Sequence, residues 1–123
     1  MLINLSNHPS TRWNEKQMNA ATTQYQSVSD LAFPNVPPAA DEKTIQKMAK
    51  QLVRQIKEMQ ITASHEPFAV HIMGEMTLIF RVIKLLKRAK IKCVASTTER
   101  NTIENEDGSK TFLFNFVQFR EYT

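Results

Sequence analysis

The stretch AVHIMGEMTLIFRVIKLLKRAKIKCVASTTER, Ala69 to Arg100, constrains the fold more than any other part of the chain. Ala69 to Met73 is a short, mostly apolar run of strand character, and Gly74 breaks it. From Glu75 the apolar residues fall at helical spacing as far as Lys90, after which Ile91 to Ala95 is again strand-like. Two strands joined through a helix must lie parallel, because antiparallel neighbours need only a tight turn whereas a parallel pair needs a crossover. Parallel sheets of this kind bind ligands beyond the carboxyl ends of their strands. In this unit those ends carry Gly74-Glu75-Met76-Thr77 and Ser96-Thr97-Thr98-Glu99-Arg100, which read as polar turns at the strand exits.

Upstream, Leu2 to Ser6 predicts a first strand, ended by the turn-favouring Asn7-His8-Pro9-Ser10. A helix from Trp13 to Tyr25 follows, with Asn14 and Gln17 at capping-box spacing and a thin apolar stripe of Trp13, Met18, Ala21 and Tyr25. Val28 to Phe33 predicts a second strand, and Pro34 to Pro38 a stiff extended connection. Asp41 suits the N-cap of a half-buried helix in which Ile45, Met48, Leu52, Ile56 and Met59 recur at three- and four-residue intervals. Ile61 to Pro67 then reads as a loop. Beyond Arg100, Asp107-Gly108 between strand-like runs is a hairpin signal, and Phe112, Phe114 and Phe116 alternate on one face of the returning strand. The expectation is a single α/β domain over residues 1–123. It is a Rossmann-like three-layer fold whose mainly parallel sheet has the order 2-1-3-4-5 and a C-terminal antiparallel β-hairpin.

Composition narrows the function classes. A chain of 123 residues has room for one core and little for a second fold, and 41% hydrophobic with 23% charged residues argues against disorder and membrane embedding. Arg81 and Lys84 interrupt the longest apolar stretch, well short of a membrane span. No signal peptide is visible ahead of the first strand, and the single cysteine, Cys93, cannot pair internally, so a cytoplasmic, reducing location is expected. The formal charge of +4 favours an anionic partner. Arg81, Lys84, Lys87, Arg88, Lys90 and Lys92 run without an intervening acid, but such cations also suit a solvated helix end, and no aromatics are interleaved for base stacking. The helix they end carries two adjoining apolar stripes, Met76, Ile79, Ile83 and Leu86 beside Leu78, Val82 and Leu85, more than a chain this size covers alone. A homodimer is therefore expected.

With the order 2-1-3-4-5, the crossovers leave strands one and three on opposite faces, and the crevice between their carboxyl ends is the place for a ligand. Asn7 to Ser10, Gly74 to Thr77 and Ser96 to Arg100 converge there and suit a phosphate ester. Helix starts after His8 and Gly74 offer backbone amides, hydroxyls add donors, and Arg100 grips an oxyanion with two parallel bonds. Plainer roles exist for each. Asn7 and Ser10 suit a helix cap, Gly74 a tight turn, Glu75 a helix first turn, and threonines a strand. His71, within the third strand, reads as a hydrogen-bonded core or interface residue, and no spacing among the histidines and Cys93 resembles a zinc site, so no metal or cofactor is expected. Gly-x-Gly-x-x-Gly, Walker and Gly-x-Ser-x-Gly signatures are absent, which argues against dinucleotide redox chemistry, ordinary nucleotide triphosphatases and elbow-type hydrolases.

LINLSNHPS with Trp13 and Gln17, HIMGEMT, CVASTTER and FVQFREY together resemble small stand-alone CRISPR-associated proteins, and more broadly the CRISPR-associated Rossmann-fold (CARF) domains and ring nucleases. The resemblance spans nearly the whole chain. It implies binding of a cyclic oligoadenylate messenger of type III CRISPR defence across a dimer two-fold, and metal-independent cleavage in which a ribose 2′-hydroxyl attacks the adjacent phosphate to give a 2′,3′-cyclic phosphate. Ring nucleases share little catalytic sequence, so no family residue is carried over. On the residues themselves, His8 is the expected proton shuttle and Arg100 the phosphate holder, as the catalytic pair. Asn7, Ser10, Gly74, Glu75, Thr77, Ser96 and Thr97 are the expected ligand contacts. The competing expectations are a non-catalytic cyclic-nucleotide sensor and an RNA-, DNA- or protein-binding adaptor that uses the basic helix end.

Overall fold

The computed structural model describes residues 1–123 and has one five-stranded sheet of order β2-β1-β3-β4-β5. The strands are β1 (Leu2–Ser6), β2 (Val28–Ala32), β3 (Ala69–Ile72), β4 (Lys92–Glu104) and β5 (Lys110–Glu121). The helices are α1 (Glu15–Tyr25), α2 (Glu42–Thr62) and α3 (Met76–Arg88), with a 3-10 turn at Ser10–Arg12. β1 pairs parallel with β2 and β3, β3 pairs parallel with β4, and β5 returns antiparallel along β4. The expected α/β architecture and strand order are both present.

Alternation along the central strands sorts their side chains between two helical layers. Ile3 and Leu5, Val70 and Ile72, and Cys93 point to one face and pack with Leu52, Val53 and Ile56 of α2 and Leu78, Val82 and Leu86 of α3. Leu2, Ala69 and Val94 point to the other, where Trp13 and α1's Ala21 and Tyr25 cover them. Every residue of β1 and β3 is buried, as central parallel strands covered on both faces must be. Burial raises the pKa of the Cys93 thiol to about 11, which leaves it an apolar filler. No helix is long and apolar enough to cross a membrane.

Several boundaries differ from the expectation for local physical reasons. Trp13 lies ahead of α1 rather than in it, because Asn14 is the N-cap and its side chain accepts the Gln17 N–H at 2.9 Å. α2 starts after Asp41, as the cap residue predicts, but runs on to Thr62 through the first part of the expected loop. Ser96 to Arg100 is not a strand-exit turn. It lies inside β4, because β5 pairs with that strand as far as Glu104. The hairpin reverses at Asn105 to Ser109, where Gly108 takes the positive φ of 84° that the Asp-Gly signal anticipates. On α3 the buried line is Leu78, Val82 and Leu86, while Met76 and Phe80 stand 81% and 66% exposed.

Candidate functional site

A cleft of about 660 Å³ opens outside the carboxyl ends of β1 and β3 on the α1 side. Ser6, His71 and Ser96 reach it from the strands, and Asn7, His8, Met73 and Gly74 from the segments that follow β1 and β3. Arg12, Trp13, Asn14 and Gln17 form a wall from the start of α1, and Thr98, Phe114 and Phe116 contribute from the hairpin. This is the switch-point crevice that the strand order dictates.

Of the nine residues expected from sequence, Asn7, His8, Gly74 and Ser96 line the cleft, and the other five do not. The Ser10 N–H and hydroxyl donate to Asp30 at 3.1 and 2.9 Å, which pins the turn after β1 to β2. Glu75 is the N-cap of α3, where its carboxylate accepts the Thr77 hydroxyl at 2.7 Å and the Leu78 N–H at 2.8 Å. These bonds, the Thr77 hydroxyl foremost, hold the Glu75 carboxyl below the usual carboxylate range. The helix start expected to bind a phosphate is therefore filled by the chain's own carboxylate. Thr97 donates to the Gln118 carbonyl at 3.2 Å. Arg100 lies out on the hairpin with its guanidinium 4.1 Å from the centre of the Phe112 ring, a cation–π contact rather than a place in the cleft. Gly74 is there for packing as well as position, since a Cβ on it would come within 2.5 Å of the Phe33 ring.

Sequence reasoning missed Asn4, Asp30 and Arg12 and gave His71 no functional role. The available signal was parity: Asn4 and Ser6 share the β1 face that the thin stripe of α1 must cover. Asn4 sits at 1% exposure, donates from Nδ2 to the His8 carbonyl and to Asp30 Oδ1, both at 2.9 Å, and accepts the Ser6 hydroxyl at 2.8 Å. Its Oδ1 also lies 2.9 Å from His71 Nδ1, while His71 Nε2 lies 3.0 Å from Ser96 Oγ. The His71 ring packs edge-on to Trp13 and Phe119, with centroids at 5.4 and 5.7 Å. Burial, with a smaller contribution from His8, lowers its pKa to about 4, so the ring is neutral at physiological pH. The Trp13 indole N–H beside it is buried without a hydrogen-bond partner. His, Cys, Asp and Glu nowhere gather in a group of three that would hold a metal ion.

The family model for the Uncharacterized protein MJ1673 family matches residues 1–120. The chain belongs to that family. No curated protein and no solved structure matches it. In this member of the MJ1673 family a second groove, about 520 Å³, lies between α2 and α3. Lys50, Arg54, Lys57 and Arg88 line it over Val53, Leu85 and Ala89, with no acid among them.

Proposed function

We propose that this protein is a metal-independent phosphodiesterase that binds a cyclic oligoadenylate in the cleft and opens it to a product ending in a 2′,3′-cyclic phosphate, as the resemblance to CARF domains and ring nucleases suggests. The observation that carries the reading is the meeting of His8 and Arg12 on a polar cleft with an aromatic wall at the sheet's switch point. Phosphoryl transfer by an internal hydroxyl needs the nucleophile held in line, charge on the phosphorane neutralised, and a proton for the leaving oxygen. In this assignment Arg12 replaces Arg100 as the group that meets the phosphate, because a guanidinium matches two phosphate oxygens at once. His8, exposed at the rim, gives the leaving oxygen its proton. Asn7, Asn14 and Gln17 supply amides for base edges or ribose oxygens, and the exposed Phe114 supplies a face for adenine stacking, backed by the buried Phe116.

The protein is proposed to act in the cytoplasm as a homodimer. Support for the dimer comes from the exposed Met76 and Phe80 on α3 and Phe112, Leu113, Phe114 and Val117 on the hairpin. The acid-free groove between α2 and α3 favours a second reading, an adaptor for long RNA or DNA. Incubation with cyclic tri-, tetra- and hexa-adenylate in EDTA, followed by mass spectrometry, separates the readings. Linear products with a cyclic phosphate end are expected; bound but unchanged rings would leave a sensor, and indifference to all three rings would leave the adaptor.

A further inference from the structure

Each of the four parallel strands contributes one polar side chain to a single hydrogen-bonded line across the α1 face of the sheet. Asp30 of β2 accepts from Asn4 of β1 at 2.9 Å, Asn4 Oδ1 lies 2.9 Å from His71 Nδ1 on β3, and His71 Nε2 lies 3.0 Å from Ser96 Oγ on β4. The register makes the line possible, since Asn4 is paired with both Asp30 and His71. Ser96 stands two residues beyond Val94, the partner of His71, and so returns to the same face.

The line has a direction. Asn4 Nδ2 faces two groups that only accept, the His8 carbonyl and the Asp30 carboxylate, so the amide cannot be turned over without two clashes of like polarity. Its Oδ1 therefore points at His71, and Nδ1 must carry the ring proton. Nε2 is left as an acceptor. The Ser96 hydroxyl has one proton and two candidate acceptors, Nε2 at 3.0 Å and the Met73 thioether at 3.1 Å. An imidazole nitrogen is the far stronger acceptor, so the proton goes to Nε2. Ser96, half-buried and lining the cleft, then shows a ligand only lone pairs.

Buried polar networks of this kind give little net stability over an apolar filling, so packing does not account for a line that ends at the cleft. We infer that Ser96 is the catalytic proton acceptor for the attacking ribose hydroxyl, with Asn4 and His71 positioning it and His71 taking the proton it sheds. The inference rests on the phosphodiesterase reading and adds the base that reading lacks. In the step, the 2′-hydroxyl gives its proton to Ser96 Oγ while the Ser96 proton passes to His71 Nε2. The 2′-oxygen forms a bond to phosphorus, the bond from phosphorus to the 5′-oxygen breaks, and that oxygen takes its proton from His8. The developing negative charge on the phosphorane favours the imidazolium at the moment it forms.

Two measurements test this. In the first, nitrogen-15 spectra of the His71 ring in the ligand-free protein should show a neutral imidazole protonated at Nδ1, and Asn4→Leu should shift it towards a tautomer mixture; an Nε2-protonated ring in the unaltered protein overturns the inference whatever the activity. In the second, turnover of cyclic tetra-adenylate by Ser96→Ala should lose about 10²-fold in kcat with KM within about threefold, while Ser96→Thr keeps most of the rate. Wild-type turnover with an unimpaired Ser96→Ala removes Ser96 and leaves the phosphodiesterase reading standing. A wild-type protein inert to all three cyclic adenylates removes both.

Discussion

The two faces of the same four parallel strands are built on opposite principles. Towards α2 and α3, β1 and β3 present Ile3, Leu5, Val70 and Ile72, all at 0% exposure in one continuous apolar cluster. Towards α1 they present Leu2 and Ala69 and then, nearer the carboxyl ends, Asn4, Ser6 and His71. Asn4 and His71, at 1% and 2% exposure, are nearly as buried as the apolar residues beside them, so exposure does not explain them. The larger apolar cluster lies on the α2 and α3 side and the smaller on the α1 side, and it is the smaller side that makes room for polar side chains. The smaller cluster around Trp13 covers the hydrogen-bonded line of polar side chains as well as Leu2, Ala69 and Val94.

That division can be broken deliberately. The largest stability effect is expected on the apolar face: Leu5→Ala should cost about 2–5 kcal/mol in urea unfolding while leaving cleft chemistry unchanged in the fraction that stays folded. His8→Ala and Arg12→Ala should do the reverse, lowering cleavage of cyclic tetra-adenylate by about 10- to 10³-fold with melting temperatures near wild type. Equal loss of stability in both sets would erase the distinction.

A pH series sharpens the contrast from the polar side. Folding lowers the His71 pKa from 6.5 to about 4, so between those values the unfolded chain binds more protons than the folded one. The contribution is complete above pH 6.5 and declines as pH falls, by about 3 kcal/mol on approaching pH 4. The lowered carboxyl groups of Glu66 and Glu75 start from 4.5 and those of Asp41 and Asp107 from 3.8, so their differential uptake gathers towards the acid end and the slope just below pH 6.5 is mainly the imidazole's. Chemical unfolding of His71→Phe over that interval should give a flat profile, and an unchanged slope would place the proton uptake elsewhere. Smaller again is Gly74→Ala, expected to cost about 1–3 kcal/mol in thermal unfolding as the Phe33 ring is displaced. Least of all is Arg100→Ala, which should change cleavage of the same ring by less than about threefold, because its guanidinium lies on Phe112 outside the cleft.

The fold was legible because each element carries its own local signal: alternation in LINLS, the Asp41 cap before a regular apolar stripe, Gly74 between strand and helix, Asp107-Gly108 at the hairpin. The switch-point crevice followed from strand order alone, and with it Asn7, His8, Gly74 and Ser96. What was not legible depends on where side chains turn. Glu75 offered a free helix start to inspection and in the fold plugs it, a bond between neighbours that spacing cannot reveal. Arg100 was lost to the strand continuing through it, since a polar segment reads as a turn until its pairing partner is known. Asn4 and Asp30 are 26 residues apart and meet only through strand register, and Arg12 stands in a short turn with no periodicity to mark it.

The pairing of β4 with β5 slips by one residue beside Thr97 and Thr98, leaving Val117 as the extra residue of the returning strand. Odd-numbered Phe119 and even-numbered Phe116 thereby come to the same side, with ring centroids 4.9 Å apart. Strict alternation would have sent one of them to the opposite surface. Removing Val117 would close the slip and leave Phe116 still opposite Thr98, so what the extra residue sets is the local bend of the returning strand and not the side on which Phe114 and Phe116 stand.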